Sequence, residues 1–310
     1  MSPWDPRRPP RQPGRTMAVT GATSGIGYFV AEQLAATGAH VVLLGRRTDR
    51  LETAMRSIGA LVPEADLSAV TLDLADLDSV SRAAQALGGR GGIDVLVANA
   101  GVISAGPLRR TTAQGLELTV GTNHLGHFAL IARTLPSLLS APGSRVVSLG
   151  SYVTHRGASD LDQLMSEDGY SGRGAYIRSK RATEAFGFEL DRRLRAAGTD
   201  TASLVAHPGA ALDQLSPRRE GVNEPSGATR ALYSLASAFV QGKHRGAWPV
   251  VRAALDPEGV GGGYYGPSRL VVGRPEPVRP PAASTDPGTG ARLWALSEEL
   301  TGTPFTIPAR

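Results

Sequence analysis

Tyr176 and Lys180 stand four residues apart, and Ser151 lies 25 residues before the tyrosine. A tyrosine hydroxyl titrates at about 10 and is a poor base at neutral pH. A lysine one helical turn away shares its face, and its positive charge favours the phenolate. Such a tyrosine can give a proton to a carbonyl being reduced, or take one from an alcohol being oxidised. Ser151, at the end of an expected strand, would hydrogen-bond the reacting oxygen and hold it for attack. Each residue alone is more often structural or a surface group; the three in this order point to acid–base chemistry.

Upstream lies the turn Thr20-Gly21-Ala22-Thr23-Ser24-Gly25-Ile26-Gly27. Gly21, Gly25 and Gly27 allow positive φ and close approach of the backbone to a pyrophosphate, with Thr23, Ser24 and Ile26 between them. The helix that follows would offer free N–H groups and a partial positive charge to phosphates. After the next strand a dinucleotide site that prefers NAD(H) carries an acid for the ribose 2′-hydroxyl. Here the chain reads Leu44-Gly45-Arg46-Arg47. Guanidinium groups pair with phosphate in a bidentate way, so Arg46 and Arg47 favour a 2′-phosphate and NADP(H), with NAD(H) as second choice. The plainer alternative is that either arginine is a solvated surface group.

The elements that must position these residues follow a regular plan. Apolar runs at 16–20, 39–44, 69–72, 93–98, 145–149 and 201–206 read as strands, most of them apolar enough for burial on both faces. Helical patterns at 25–37, 51–58, 79–87, 115–139 and 175–197 separate them. This alternation predicts an α/β fold, a doubly wound, Rossmann-like parallel sheet with helices on both faces in a single main domain. Residues 1–14, rich in Pro and Arg, read as a flexible arm, and 15–273 as the main domain. Within it, 210–227 is polar with two prolines and reads as a lid, and 228–241 as a helix. Residues 274–310 read as an extension, Pro-rich and irregular at 275–290, with an amphipathic stretch at 291–300 that docks back on the body.

At 310 residues with 41% hydrophobic and 20% charged, the chain is long enough for a sizeable core and has an ordinary globular composition. There is no cysteine, which excludes disulfides, thiolate catalysis and Cys-ligated metals. The net charge is +5, but the arginines are dispersed and aromatics make up only 5%, so nucleic acid is not the expected partner. A polyanionic cofactor accounts for part of the charge. With no apolar signal segment and no run of about 18 apolar residues, the expectation is a cytoplasmic protein with no membrane span. Its expected partner is a small-molecule carbonyl or alcohol, and a homo-oligomer is compatible with the sequence. His124 and His127, three apart, lack a third ligand nearby, so no metal is expected. Asp76 and Asp78 read as helix caps, and Tyr264-Tyr265 as core.

Together these motifs resemble the short-chain dehydrogenase/reductase family, in the subfamily marked by Thr-Gly-x-x-x-Gly-x-Gly. The resemblance runs from about residue 14 to 209 and more loosely to 273. It implies that Asp73-Leu74 contacts adenine, that Asn99-Ala100-Gly101 steadies the sheet beside the cofactor, and that Asn123 holds a proton-relay water. It also implies that Pro208-Gly209 lies beside the nicotinamide and that Lys180 reaches its ribose. The Asn123-His124-Leu125-Gly126-His127-Phe128 stretch and the Ala206-His207-Pro208-Gly209 turn are similar to the retinol dehydrogenase and WW-domain oxidoreductase branch, whose members handle lipophilic alcohols and ketones.

Three positions depart from the family pattern. Gly150-Ser151 replaces a Ser-Ser pair, which makes Ser151 the expected serine and Ser148 the fallback. Arg181 replaces a leucine. Asp213 replaces the threonine that in the family binds the carboxamide. Two rival functions share related folds: a non-catalytic dinucleotide-binding regulator, which usually lacks the Tyr/Lys pair, and a nucleotide-sugar epimerase or dehydratase. The latter normally spaces its glycines Gly-x-x-Gly-x-x-Gly, unlike this turn. An enoyl reductase would space Tyr and Lys wider.

Overall fold

The computed structural model describes residues 4–103, 108–155, 161, 163–165, 167–234 and 239–309. Its first half alternates strand and helix: β1 (Thr16–Thr20), α1 (Gly25–Ala35), β2 (His40–Gly45), α2 (Thr48–Gly59), β3 (Asp66–Thr71), α3 (Leu77–Gly88) and β4 (Val95–Ala98). Then come α4 (Leu118–Val120), α5 (Gly126–Leu139), β5 (Arg145–Leu149), α6 (Gly172–Ala196), β6 (Ala202–Ala206) and β7 (Ala211–Leu212). The remainder is α7 (Gly227–Ser234), β8 (Gln241–Gly242), α8 (Lys243–Gly246), α9 (Trp248–Leu255), β9 (Tyr264–Pro267), β10 (Pro275–Pro277), α10 (Ala282–Thr285) and α11 (Pro287–Thr301).

Eight strands form one sheet in the order β10-β9-β6-β5-β4-β1-β2-β3, all parallel except β10 against β9. The chain winds outward from β1 in one direction through β3, then returns to β4 and winds the other way. That reversal leaves a crevice beyond the carboxyl ends of β1 and β4. Successive strand residues feed opposite cores. Met17 and Val19 of β1 pack with Phe29, Leu51 and Val250 from α1, α2 and α9. Ala18 packs with Val80, Phe128 and Ala182 from α3, α5 and α6. Helices therefore cover both faces, and no helix among the described residues is long and apolar enough to cross a membrane.

The structure corrects several boundaries. The pattern at 115–139 is not one helix: α4 passes into a π-helical turn, Gly121–Leu125, before α5 begins. Gly126 permits this path, since a Cβ there would lie 2.3 Å from the Leu74 carbonyl oxygen. The helix expected over 228–241 is α7 only to Ser234. Residues 235–238 fall outside the described residues, and Gln241 already pairs in β8 with β7.

The irregular segment expected at 275–290 contains β10, α10 and the start of α11. Prolines are tolerated in β10 because it is an edge strand whose missing N–H groups leave no ladder partner unsatisfied. The sheet thus continues past residue 273, and the tail is part of the body. Asp286 caps α11 by accepting from the Thr289 N–H at 2.7 Å, with Pro287 in its first turn. Trp294 of α11 then packs 5.5 Å from Phe128 and 4.5 Å from Phe305, ring centre to ring centre.

At the other end, residues 1–3 lie outside the described residues. The rest of the arm lies on the body: the Gln12 N–H bonds the Thr37 carbonyl at 2.9 Å, and Trp4 packs against the α1/α9 core. Asp76 caps α3 by accepting from the Asp78 N–H at 3.0 Å, while Asp78 serves as the first-turn acid. Tyr264 and Tyr265 are buried.

Candidate active site

A cleft of about 640 Å³ occupies the crevice at the strand ends, within the size range of small-molecule and cofactor sites. Gly21, Thr23, Ser24, Gly25, Ile26 and Gly27 line one end. Gly21 and Gly25 hold φ of +67° and +59°, which side-chain-bearing residues rarely adopt. Gly27 is required by closeness instead: a Cβ would sit 2.3 Å from Asn99 Nδ2 and 2.4 Å from the Gly21 oxygen. Ser24 makes no side-chain capping bond to α1, so the first N–H groups of that helix keep their capacity for an anion.

Thr20 ties the turn to the loop after β4. Its Oγ1 accepts from the Asn99 and Ala100 N–H groups, both at 2.9 Å, and Asn99 Nδ2 donates to the Thr20 carbonyl at 2.8 Å. His127 supports Thr20 from below. Its Nδ1 faces the Asn123 carbonyl at 3.0 Å and must carry the proton, which makes Nε2 the acceptor for the Thr20 hydroxyl at 2.9 Å. Burial pushes His127 down to about 4 and its neighbour His124 to about 3. Both are neutral core residues with protein partners, since His124 Nε2 lies 2.8 Å from Ser297 Oγ.

Arg46, Asp73, Leu74, Ala100 and Gly101 also line the cleft, with Asn99. Arg46 is exposed, and among the described residues no hydrogen bond or ion pair of its guanidinium is seen. Arg47 behaves differently. It is not among the lining residues, and its guanidinium pairs with Asp49, with Nε 3.0 Å from Oδ1.

At the other end, Ser151, Tyr176, Lys180, Pro208 and Gly209 line the same cleft. Ser148, the fallback serine, is buried within β5 near Gly187. Gly209, at φ +65°, passes so close to Val271 that a Cβ would meet its carbonyl oxygen at 2.3 Å. Burial pushes the Tyr176 hydroxyl above its ordinary value; a hydrogen bond with Ser151 opposes this, while the nearby Tyr152 and Glu184 add to the rise. The Lys180 ammonium donates to the Leu149 carbonyl at 2.7 Å. Burial lowers Lys180 to about 8, against the pull of Glu184. Burial thus works against the ionised form of Tyr176, the form that a lysine one helical turn away would favour.

Asn123 is buried, and the lining residue beside it is Thr122. Its side chain bridges the Val102 backbone, accepting from the N–H at 2.7 Å, to Ser179 Oγ of α6 at 2.9 Å. Its carbonyl accepts from His127 and from Thr183 Oγ1 at 3.2 Å. Asn123 thus joins the loop after β4, the turn before α5, and α6.

Two residues escaped the sequence reading. Lys243 lines the cleft and lies against the α1 N-terminus, where a Cβ on Gly25 would be 3.3 Å from its Nζ; it pairs with Asp213 at 2.6 Å. Lys180 and Lys243 are the only lysines in an arginine-rich chain, and this was the available signal. Glu184, buried beneath Ser151, belongs to no motif. Val102, Ile103, Val153, Leu212 and Val240 add apolar side chains to the lining, which also includes Tyr152.

The sequence pattern of the short chain dehydrogenase family matches residues 15–209. Polyprenol dehydrogenase of Mus musculus is 37% identical over 303 residues, covering 94% of this chain and 85% of its own. Retinol dehydrogenase 13 of Homo sapiens is 33% identical over 294 residues, with 94% and 85% covered. A crystal structure of an uncharacterised protein from Mycobacterium Paratuberculosis superposes with a TM-score of 0.79 at 36% identity, covering 98% of this chain and 99% of the other. A Burkholderia cenocepacia short chain dehydrogenase in complex with NADP gives 0.60 at 26%, covering 80% and 93%.

Proposed function

The chain belongs to the short-chain dehydrogenase family, in its retinol dehydrogenase-like branch, and from that premise we propose an NADP(H)-dependent oxidoreductase that interconverts a lipophilic alcohol and its ketone or aldehyde. One observation carries the proposal: Ser151, Tyr176 and Lys180 line the same cleft as the glycine turn and Arg46. The cradle fits a dinucleotide, because Gly21 and Gly27 leave no room for side chains and the start of α1 keeps free donors.

Gly21, Gly25 and the α1 N-terminus would hold the pyrophosphate, Arg46 the 2′-phosphate, and Asp73, Leu74 and Asn99 to Gly101 the adenosine. Arg46 rather than Arg47 is the selector, since Asp49 already occupies Arg47. Pro208 and Gly209 would flank the nicotinamide, which supplies or accepts the hydride. Ser151 orients the substrate oxygen, and Tyr176 gives that oxygen its proton in reduction as the phenol and takes it back in oxidation as the phenolate. Lys180 keeps N–H donors beyond its bond to Leu149 for the ribose. Asn123 holds these elements in register rather than presenting its amide to the cleft.

The lipophilic class rests on the apolar side chains of the lining and on the printed names of the relatives. Ala210, Ala211 and Leu212 line the cleft and the rest of the segment to 227 lies against the glycine turn and α1, and we assign 210–227 the role of a cover over the site. As a test, purified protein with NADPH is offered a panel of long-chain and cyclic apolar aldehydes beside short polar ones. NADPH consumption should be faster by at least about tenfold with the apolar members, as one or two extra buried methylene groups suffice for that ratio. Equal rates would reject the substrate class, and no consumption with any carbonyl would reject the activity.

A further inference from the structure

Glu184 lies one helical turn beyond Lys180 and two beyond Tyr176 on α6, and its side chain is fully buried. Its Oε1 accepts from the Ser151 N–H at 3.1 Å, the Thr154 hydroxyl at 3.0 Å and the Tyr264 hydroxyl at 3.2 Å. Its Oε2 accepts from the Ser284 hydroxyl at 2.8 Å. One carboxyl group thus gathers the loop after β5, the short helical turn behind it, β9 and α10. Gly150 makes room for it, since a Cβ there would sit 2.3 Å from Oε1. Arg181 of α6 fastens the same turn by donating to the Thr154 carbonyl at 3.0 Å. Two of the departures from the family pattern, Gly150 and Arg181, therefore belong to one arrangement around the segment that carries Ser151.

We infer that Glu184 is a positioning residue of this site: its carboxylate fixes the Ser151 loop, and its negative charge keeps Lys180 an ammonium. Burial raises Glu184 to about 7 while its four donors pull the other way. The ionisable groups around it do not replace its charge. Tyr264 on β9 is pushed strongly upward by burial and by Glu184 itself. His155, at the end of the short turn, is lowered by burial, and its Nε2 faces the Tyr264 hydroxyl at 3.4 Å. His207, stacked near Tyr264 after β6, is held down to about 3 by burial. Burial likewise favours the uncharged form of Tyr176. Glu184 is accordingly the group whose charge opposes the desolvation of Lys180.

This inference rests on the reading of Ser151, Tyr176 and Lys180 as the reacting set, but its decisive test needs no substrate. Lys180 and Lys243 are the only lysines, so protein labelled with carbon-13 at lysine Cε yields one resonance from each. In Glu184→Gln the Lys180 titration midpoint should fall by about one unit, the size of effect that a neighbouring opposite charge exerts, while Lys243 stays put. In an active preparation kcat should fall by at least about tenfold, as for a misplaced positioning group, with NADPH affinity by fluorescence titration unchanged. An unmoved Lys180 midpoint overturns the inference, whether or not any carbonyl tested is turned over. Should Glu184→Gln fail to fold, Ser284→Ala removes only the donor to Oε2. Losing that bond raises the carboxyl further, so the Lys180 midpoint should again move down, by less; no movement there overturns the inference equally. Absence of wild-type turnover would instead count against the proposed function alone.

Discussion

Arg46 and Arg47 are adjacent in the chain, yet only Arg46 lines the cleft, because Asp49 draws Arg47 into an exposed pair. Arg46→Ala should weaken NADPH binding by about 1–2 kcal/mol, the lower part of the range for a hydrogen bond to a charged group, since the site is exposed. NADH affinity should stay nearly constant in the same titration. Equal weakening of both would remove Arg46 as selector. The glycines, Ser151, Tyr176 and Lys180 were legible because their chemistry depends on short spacings along the chain. Glu184 and Lys243 were not. Each matters through partners 30 residues or more away, as in the Glu184 bond to Ser151 and the Lys243 pair with Asp213. The sign of the Tyr176 shift was also hidden, since spacing reports a neighbouring charge but not how deeply the phenol is buried.

Among the elements, the segment 210–227 is tied to its neighbours mainly by polar contacts: the Gly221 carbonyl accepts from Arg50, Ser216 Oγ accepts from the Lys243 N–H at 2.8 Å, and β7 pairs with β8. Arg219 forms a forked pair with Glu32 of α1, with Nη2 2.9 Å from Oε1, and Lys243 holds Asp213. With Ser216 and Asn223, both polar, as its buried residues, such a cover should open locally and close over bound substrate. Amide exchange across 210–227 should slow only when NADP⁺ and an alcohol or ketone are both present; unchanged exchange with catalysis intact would make it a passive linker. The last helix answers to a different physics. Trp294 is 2% exposed and touches Phe128, Phe186 and Phe305. Trp294→Ala should cost about 3–4 kcal/mol by chemical denaturation, as for a buried aromatic replaced by alanine, without changing NADPH affinity. A loss below about 1 kcal/mol would mean α11 is only loosely docked. The parallel strands and their helices were readable from period and length. The strand β10 and the start of α11 were not, because Pro275, Pro277 and Pro287 read as irregular chain unless an edge position or a helix first turn is known.

For the molecule as a whole, buried histidines set the response to acid. His124 and His207 are held down to about 3, and His127 and His244 to about 4, in each case chiefly by burial. The unfolded chain takes up protons on these rings below about 6.5, and the native protein does not, so stability falls as pH drops from there towards 4. Each fully buried ring contributes on the order of 2 kcal/mol across that window, and the partly exposed His244 less. Glu184, raised to about 7, acts oppositely: it adds stability as pH falls from about 7 towards the ordinary carboxylate range. Four rings against one carboxyl predict a net loss, visible as a melting temperature several degrees lower at about pH 4.5 than at about pH 6.5. A flat or rising profile would mean that the rings are charged in the native state. That the strands form a parallel sheet between helices was legible from the alternating pattern; which side chains are sealed from water was not, because burial is a property of the assembled layers.

The most direct measurement is the comparison of wild type with Tyr176→Phe, reading NADPH affinity by fluorescence and turnover of an accepted apolar aldehyde on the same preparation. The expected result is affinity within about twofold of wild type and turnover lower by at least about two orders of magnitude, the usual worth of a placed proton donor. Turnover retained in Tyr176→Phe, with binding intact, would contradict the assignment of Tyr176 as the proton donor.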